Sequence, residues 1–134
     1  MHDEAVTRFL KGRGISDDVA ESGLDGLVTV WERTVAQVRS GYALGLDDYL
    51  NDVDGRQLIE EAAMAAPEAL SEPLRRRIEA ADVAMQEAIA PADECLWGDE
   101  LAEREGWTAG DNWWYFGLPR NPGPQMVDEL EDFE

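Results

Sequence analysis

The sequence predicts an all-α fold, an irregular bundle of about four main helices closed by a Trp- and Pro-rich, mostly non-helical C-terminal segment. Three observations lead to this prediction. Apolar residues recur at spacings of three and four over much of the chain before residue 91, which is the period of amphipathic helices. Capping residues precede these stretches, and glycine or proline follows them. After residue 91 the periodicity weakens, while proline and tryptophan become frequent.

The first half of the chain contains the most regular helical pattern. A short amphipathic helix is predicted over residues 4–11, and residues 17–23 supply one or two turns before the main helix over residues 24–40. Gly41 follows that helix at the position that favours glycine. The apolar stripe of the main helix consists of Leu24, Leu27, Val28, Trp31, Val35 and Val38.

Two further helical stretches follow. Residues 45–64 are helical in pattern, but two separate apolar stripes predict a break around residues 52–55. Ser71 and Pro73 then mark the start of a long helix that is predicted to end at Ala90. Its inward-facing residues are Leu74, Ile78, Ala81, Met85 and Ile89.

The C-terminal third is assigned to closing segments. Residues 93–105 favour one or two short helices, and residues 118–124 are predicted to be extended or turn, because three prolines there oppose regular strand pairing. We therefore expect one helical domain over residues 1–127, with the Trp/Pro-rich closing segment at 107–124 and an acidic tail at 128–134.

Charge limits the classes of partner. The net charge is −19, from 30 acidic and 11 basic residues, and it becomes more negative toward the C-terminus. Direct binding to nucleic acid or to an anionic membrane is disfavoured, because both need a face rich in Lys and Arg. The acidic N-terminus and the single cysteine favour a cytoplasmic protein, a monomer or a homo-oligomer, without a signal peptide or transmembrane helix.

Candidates for catalysis are few. The only histidine is His2, at the terminus, so no Ser-His or Cys-His pair is expected in the body of the domain. Cys95 lies among acids and apolar residues, a setting that raises the pKa of a thiol and lowers its reactivity. We therefore predict that the protein is not an enzyme and needs no cofactor.

Carboxylate patterns raise the alternative of a metal-dependent hydrolase. Asp48 and Asp52 belong to a DDxxxD sequence and share a helix face, and residues 52–61 match later positions of an EF-hand loop. Leu50 occupies the first ligand position of that loop, however, and cannot bind calcium. We interpret these acids as a solvated face without a bound metal. The same interpretation covers two other helical pairs, Glu79 with Asp82 and Glu100 with Glu103. The one basic cluster, residues 75–77, is interpreted as forming salt bridges.

The closing segment supplies the candidate binding site. Four consecutive aromatic residues at 113–116 cannot all point inward, so we predict that one or two rings pack on the core while another stays partly accessible beside Trp107. Aromatic anchors with a charged rim are typical of protein interfaces. The predicted binding residues are Trp107, Trp113, Trp114, Tyr115 and Arg120.

These observations favour a small acidic protein-interaction domain, such as an inhibitor, an immunity-type or an antitoxin-type protein that binds a basic protein partner. Charge complementarity is the reason, because a strongly acidic surface steers basic proteins toward it. A second alternative, beside the hydrolase, is a scaffold or subunit domain that docks through its Trp-rich segment.

Overall fold

The structure is a computed structural model that describes residues 17–132 together with Arg8, Lys11 and Gly12, although the side chains of residues 17–22 and 130–132 are not included. The helix predicted over residues 4–11 lies mainly outside the described residues. Within the described part of the chain, no helix combines the length and hydropathy that a transmembrane span requires.

Three long helices make up the body of the protein, which confirms the mostly helical class. They are α1 (Asp17–Ser40), α2 (Leu46–Ala65) and α3 (Glu72–Ala88), with a 3₁₀ turn at Pro67–Ala69 between the last two. Helix α1 packs against both others. Every residue of the stripe predicted for α1 is buried, because one face of a regular helix meets both neighbours.

A kink in α1 falls where the sequence places the start of the main helix. Gly23 has φ of +66° and ψ of −158°, outside the helical region. A residue with a side chain rarely adopts this conformation, so glycine allows the chain to turn here before the regular helix begins. The prediction of one or two separate turns over residues 17–23 is thereby confirmed.

Helix α2 is continuous, so the break predicted at residues 52–55 is wrong. Its buried face includes Val53, Arg56 and Ile59 at helical spacing. Because Arg56 is charged, the apolar residues taken alone form two separate stripes. In the structure Arg56 joins them into one continuous buried face. Tertiary burial of this whole face stabilises the helix through Gly55, which otherwise weakens a helix interior.

The prediction that the prolines after residue 117 prevent strand pairing is also wrong. A short antiparallel ladder joins β1 (Ile89–Pro91) to β2 (Gly117–Pro119), with Ile89 opposite Pro119. Residues beside the strands add backbone hydrogen bonds that need no proline N–H: Arg120 N donates to Ala88 O at 2.9 Å, and Ala92 N to Phe116 O at 2.8 Å. Proline is tolerated at such short, two-stranded edges.

Shorter elements complete the C-terminal third. Helix α4 spans Asp99–Glu105, a 3₁₀ turn spans Trp113–Tyr115, and α5 spans Pro124–Asp132. Residues 128–132, which the sequence assigned to an acidic tail, thus continue a helix. Glu129 accepts a hydrogen bond from Leu46 N at 2.6 Å, so its carboxylate satisfies a free donor at the start of α2.

Candidate functional site

A groove lies between α2, α4 and the closing segment, and we call it the α2–α4 groove. Its volume is about 760 Å³. Positions 51, 54, 58 and 61 recur at helical spacing and therefore form one face of α2, while α4 supplies the opposite wall. The groove is lined by Asn51, Asp54, Gly55, Gln57, Leu58, Glu61, Leu101, Glu105, Trp107 and Tyr115.

Two stacked rings form the aromatic side of the groove. The ring centroids of Trp107 and Tyr115 are 4.3 Å apart, with an angle of 33° between the planes. Tyr115 is buried within its 3₁₀ turn, whereas Trp107 is only half-buried. Trp107 N also donates to Ala102 O at 2.9 Å, which ties the ring's backbone to the end of α4. Stacking therefore holds the accessible ring of Trp107, and the hydrogen bond holds its backbone.

Asp54 is fixed in place by two ring donors. Its Oδ1 accepts hydrogen bonds from Tyr115 Oη at 2.6 Å and from Trp97 Nε1 at 3.1 Å. Burial raises the pKa of Tyr115, and the hydrogen bond to Asp54 and the negative charges of Asp54 and Glu61 raise it further. Tyr115 therefore remains a protonated donor at neutral pH, and Asp54 is held on the groove wall as an acceptor.

The charged residues that line the groove in the described part of the chain are all acidic. Asp54, Glu61 and Glu105 contribute carboxylates from two different helices, and no lysine or arginine is among the described lining residues. Clefts lined by charges of one sign concentrate the electrostatic field of the protein. This groove is therefore suited to a cationic group that can also contact an aromatic ring.

A buried polar cluster supports the aromatic side from the interior. Arg56 lies 4.5 Å from the ring centroid of Trp114, pairs with Asp82, and also contacts Glu60 at 3.0 Å. Burial alone would lower the pKa of Arg56, but its hydrogen bonds to Asp82 and Glu60 and the negative charges of these two residues together outweigh this effect and raise it. Asp82 accepts a further hydrogen bond from Trp31 Nε1 at 3.0 Å. Arg56 is therefore charged, and its guanidinium fixes the ring that precedes Tyr115.

The residues predicted to bind a partner do not all meet in one place. Trp107 and Tyr115 line the α2–α4 groove. Trp114 is 1% exposed and belongs to the core. Trp113 is half-buried, and its ring centroid is 6.5 Å from that of Trp31. Arg120 is exposed at the end of β2 and is not among the groove-lining residues.

The aromatic run at residues 113–116 combines buried and partly accessible rings, as predicted, but more of its rings are buried than predicted. Three rings, Trp114, Tyr115 and Phe116, are buried, rather than one or two, and Trp113 is partly accessible. The 3₁₀ turn is the reason, because it directs successive side chains about 120° apart, and the chain can then bury rings on more than one side.

The acidic residues of the groove are not among the binding residues that the sequence predicts. Asp54 and Glu61 share a face of α2, but the sequence indicates only a solvated or metal-binding pattern for them. Their spacing of seven is the signal that places them together. Glu105 comes from a helix more than forty positions away, and no local pattern predicts that it lies opposite.

Two acids of the other candidate sites have structural partners. Asp52 accepts a hydrogen bond from Tyr42 Oη, and Asp82 is the ion-pair partner of Arg56. Among the residues that the structure describes, no group of three or more His, Cys, Asp or Glu is placed to hold a metal ion. Cys95 is buried, and this burial raises the pKa of its thiol.

The basic cluster at residues 75–77 forms salt bridges, as predicted. Arg75 and Arg76 both pair with Glu72, at 3.9 and 3.4 Å. Arg77 reaches across to α1, where it pairs with Asp25 and Glu32 at 2.6 Å each. These arginines therefore neutralise neighbouring acids of the same protein.

Comparison with known proteins adds no relative: the chain matches no protein-family model, and no curated protein or solved structure shows significant similarity to it.

Proposed function

We propose that this protein is a small acidic interaction domain that binds a basic surface of another protein, in the manner of an inhibitor, an immunity protein or an antitoxin. The observation that carries this proposal is the α2–α4 groove, which is lined by Asp54, Glu61 and Glu105 together with the half-buried ring of Trp107. An aromatic anchor with a charged rim is the composition of many interface hot spots.

The charge of the whole protein supports the same proposal. The net charge is −19, and Arg56, Arg75, Arg76 and Arg77 are paired with acids of the same chain. The remaining excess of negative charge would attract basic proteins to the surface and raise their association rate. We expect a non-catalytic role in the cytoplasm, without a cofactor.

A role as a scaffold or subunit domain is the second candidate. It is favoured by the position of Trp97, which is 37% exposed and donates to Asp54 at the groove. Such a domain would use the same groove, but its partner would bind mainly through apolar contacts. Salt dependence separates the two candidates, because screening weakens attraction between exposed charges and leaves apolar contacts intact.

Affinity capture from native cell extract at low and high salt tests the proposal. The groove variant is Glu61→Gln/Glu105→Gln, and the control is Glu68→Gln/Glu87→Gln, which removes the same charge at exposed positions outside the groove. We expect the wild type and the control to retain a basic protein at low salt and release it at high salt, while the groove variant loses it. Equal capture by both variants, or recovery of the lone protein, would contradict the proposal.

A further inference from the structure

In the described part of the chain, Arg56 packs against one ring of the aromatic run at residues 113–116. Arg56 lies over the ring of Trp114, and its Nε and Nη2 both donate to the carboxylate of Asp82 at 2.9 Å. The guanidinium thus combines a ring contact with a bidentate ion pair, an arrangement that arginine makes better than lysine.

The α2–α4 groove presents the same two chemical features toward solvent. Trp107 supplies a half-buried ring, and carboxylates stand on both walls, with Asp54 and Glu61 on α2 and Glu105 on α4. The side-chain amide of Asn51 adds a further polar group. We infer that the groove binds an arginine side chain of the basic partner, with its guanidinium against Trp107 and between the carboxylates of Asp54 and Glu105. This inference rests on the proposed function and names the group that is recognised.

Arginine fits this groove better than lysine for three physical reasons. Its planar guanidinium stacks on aromatic rings, it is more weakly hydrated than an ammonium group, and its five N–H donors point in several directions within one plane. The acceptors in the groove also lie in several directions, because they come from two helices. A volume of about 760 Å³ accommodates a long side chain together with part of its backbone.

The groove is also largely preformed. Stacking on Tyr115 holds Trp107, and the hydrogen bonds from Tyr115 and Trp97 hold Asp54. A ring and a carboxylate that are already ordered lose little conformational entropy when a ligand binds. The arginine therefore meets an aromatic surface and an acceptor whose relative positions are set by Tyr115.

Two peptides of equal charge test this inference with the full-length protein. Each has seven residues in which glycine alternates with three arginines or with three lysines. Binding is followed by NMR at the backbone N–H groups of the groove residues Asn51, Gln57 and Glu61, which the Trp107 variants retain, and in the wild type also at the indole N–H of Trp107. We expect the dissociation constant of the arginine peptide to be lower by about fivefold, the scale of one exposed cation–π contact. Trp107→Leu should remove this preference, and Trp107→Phe should keep part of it.

A second pair of variants separates this inference from the proposed function. Glu105→Gln should weaken both peptides, and Glu87→Gln, outside the groove, should weaken neither. If the two peptides bind equally and Trp107→Leu changes nothing, the arginine site is wrong, while a loss with Glu105→Gln would still support an acidic protein-binding groove. If neither peptide shifts the indole signal, the arginine site is also wrong, and the capture experiment decides the proposed function separately.

Discussion

Arg56 of α2 and Asp82 of α3 form a bidentate ion pair, with N–O distances of 2.9 Å for both Nε–Oδ1 and Nη2–Oδ2. The pair lies inside the bundle, where the Arg56 side chain is 8% exposed and that of Asp82 is 16% exposed. Trp31 of α1 donates to the same carboxylate, so one acid connects the three long helices. The guanidinium also lies against Trp114, which links this polar centre to the closing segment.

Removal of one partner of this pair should destabilise the protein strongly. Asp82→Asn leaves the buried charge of Arg56 with only Glu60 opposite, and we expect a loss of about 3 kcal/mol in the free energy of unfolding. Urea denaturation measures this loss. The double variant Arg56→Met/Asp82→Leu should recover much of the stability, because no buried charge remains. If Asp82→Asn costs less than about 1 kcal/mol, the pair contributes little to the fold.

Trp31 should be among the most sensitive core positions. The residue is 1% exposed, and Trp31→Ala removes its packing, so we expect a loss of about 3–5 kcal/mol by urea denaturation. Trp31→Phe keeps an aromatic ring but removes the donor to Asp82, and this variant should lose less than Trp31→Ala. A loss below about 1 kcal/mol for Trp31→Ala would contradict the buried position.

Gly123 should not accept a side chain. A Cβ atom at this position would lie 2.6 Å from Tyr42 O and 3.1 Å from Ala43 Cα, and these are backbone atoms that cannot rotate away. We expect Gly123→Ala to cost about 1–3 kcal/mol, as in other overpacked sites. Gly110→Ala is the matched control, since a Cβ there meets nothing within 4 Å. Equal thermal stability of the two variants would show that the contact between the 42–43 backbone and Gly123 is not tight.

The free energy of unfolding should decrease at alkaline pH, and ionisation of Tyr115 should contribute to this decrease. Burial and the bond to Asp54 raise the pKa of Tyr115 above its ordinary value of about 10. Below pH about 10 the phenol is protonated in both the folded and unfolded states. At higher pH the unfolded chain releases this proton first, so the free energy of unfolding decreases as pH rises.

Urea denaturation at several pH values between about 8 and 11 measures this effect. Tyr115→Phe should make the decrease shallower. The substitution should not abolish the decrease in the free energy of unfolding, because burial also raises the pKa values of Tyr42 and Tyr49. An unchanged slope in Tyr115→Phe would show that Tyr115 is not protected from ionisation in the folded state.

Truncation should separate the closing segment from the end of the chain. A fragment of residues 1–106 loses the core side chains Trp114, Tyr115, Phe116 and Met126, so we expect exposed apolar surface and aggregation. A fragment of residues 1–127 keeps these core side chains but loses the second half of α5 and the hydrogen bonds that Glu129 accepts from Leu46 N and Gln125 Nε2, and it should fold with a loss of about 1 kcal/mol. Light scattering and thermal unfolding distinguish the two outcomes. A soluble, cooperatively folding 1–106 fragment would show that the closing segment is an independent binding tail.

The helical periodicity of α1 and α3 could be predicted from the sequence because it is a local property. The six apolar residues predicted for α1 are all buried, and so are Ile78, Ala81 and Met85 of the stripe predicted for α3, whereas Leu74 is half-buried. Helix α3 ends at Ala88 rather than at the predicted Ala90, and Ile89 is buried in β1. In both helices most of the side chains that face the core are apolar, so the spacing of the apolar residues predicts which face is buried. The break predicted in α2 was wrong because Arg56 occupies a core position and depends on a partner from another helix.

The sequence by itself therefore determined the helical class, the strongly acidic charge and the apolar faces of α1 and α3, since these depend on composition and on residues three or four positions apart. Only the tertiary structure decided which aromatic rings are buried and which acids line one groove. The pairing of β1 with β2, the ion pair of Arg56 with Asp82, and the presence of Asp54 and Glu105 in the α2–α4 groove each bring together residues far apart in the chain. Such contacts form when the packing of helices brings together side chains that are far apart in the chain. The spacing of neighbouring residues carries no information about these contacts.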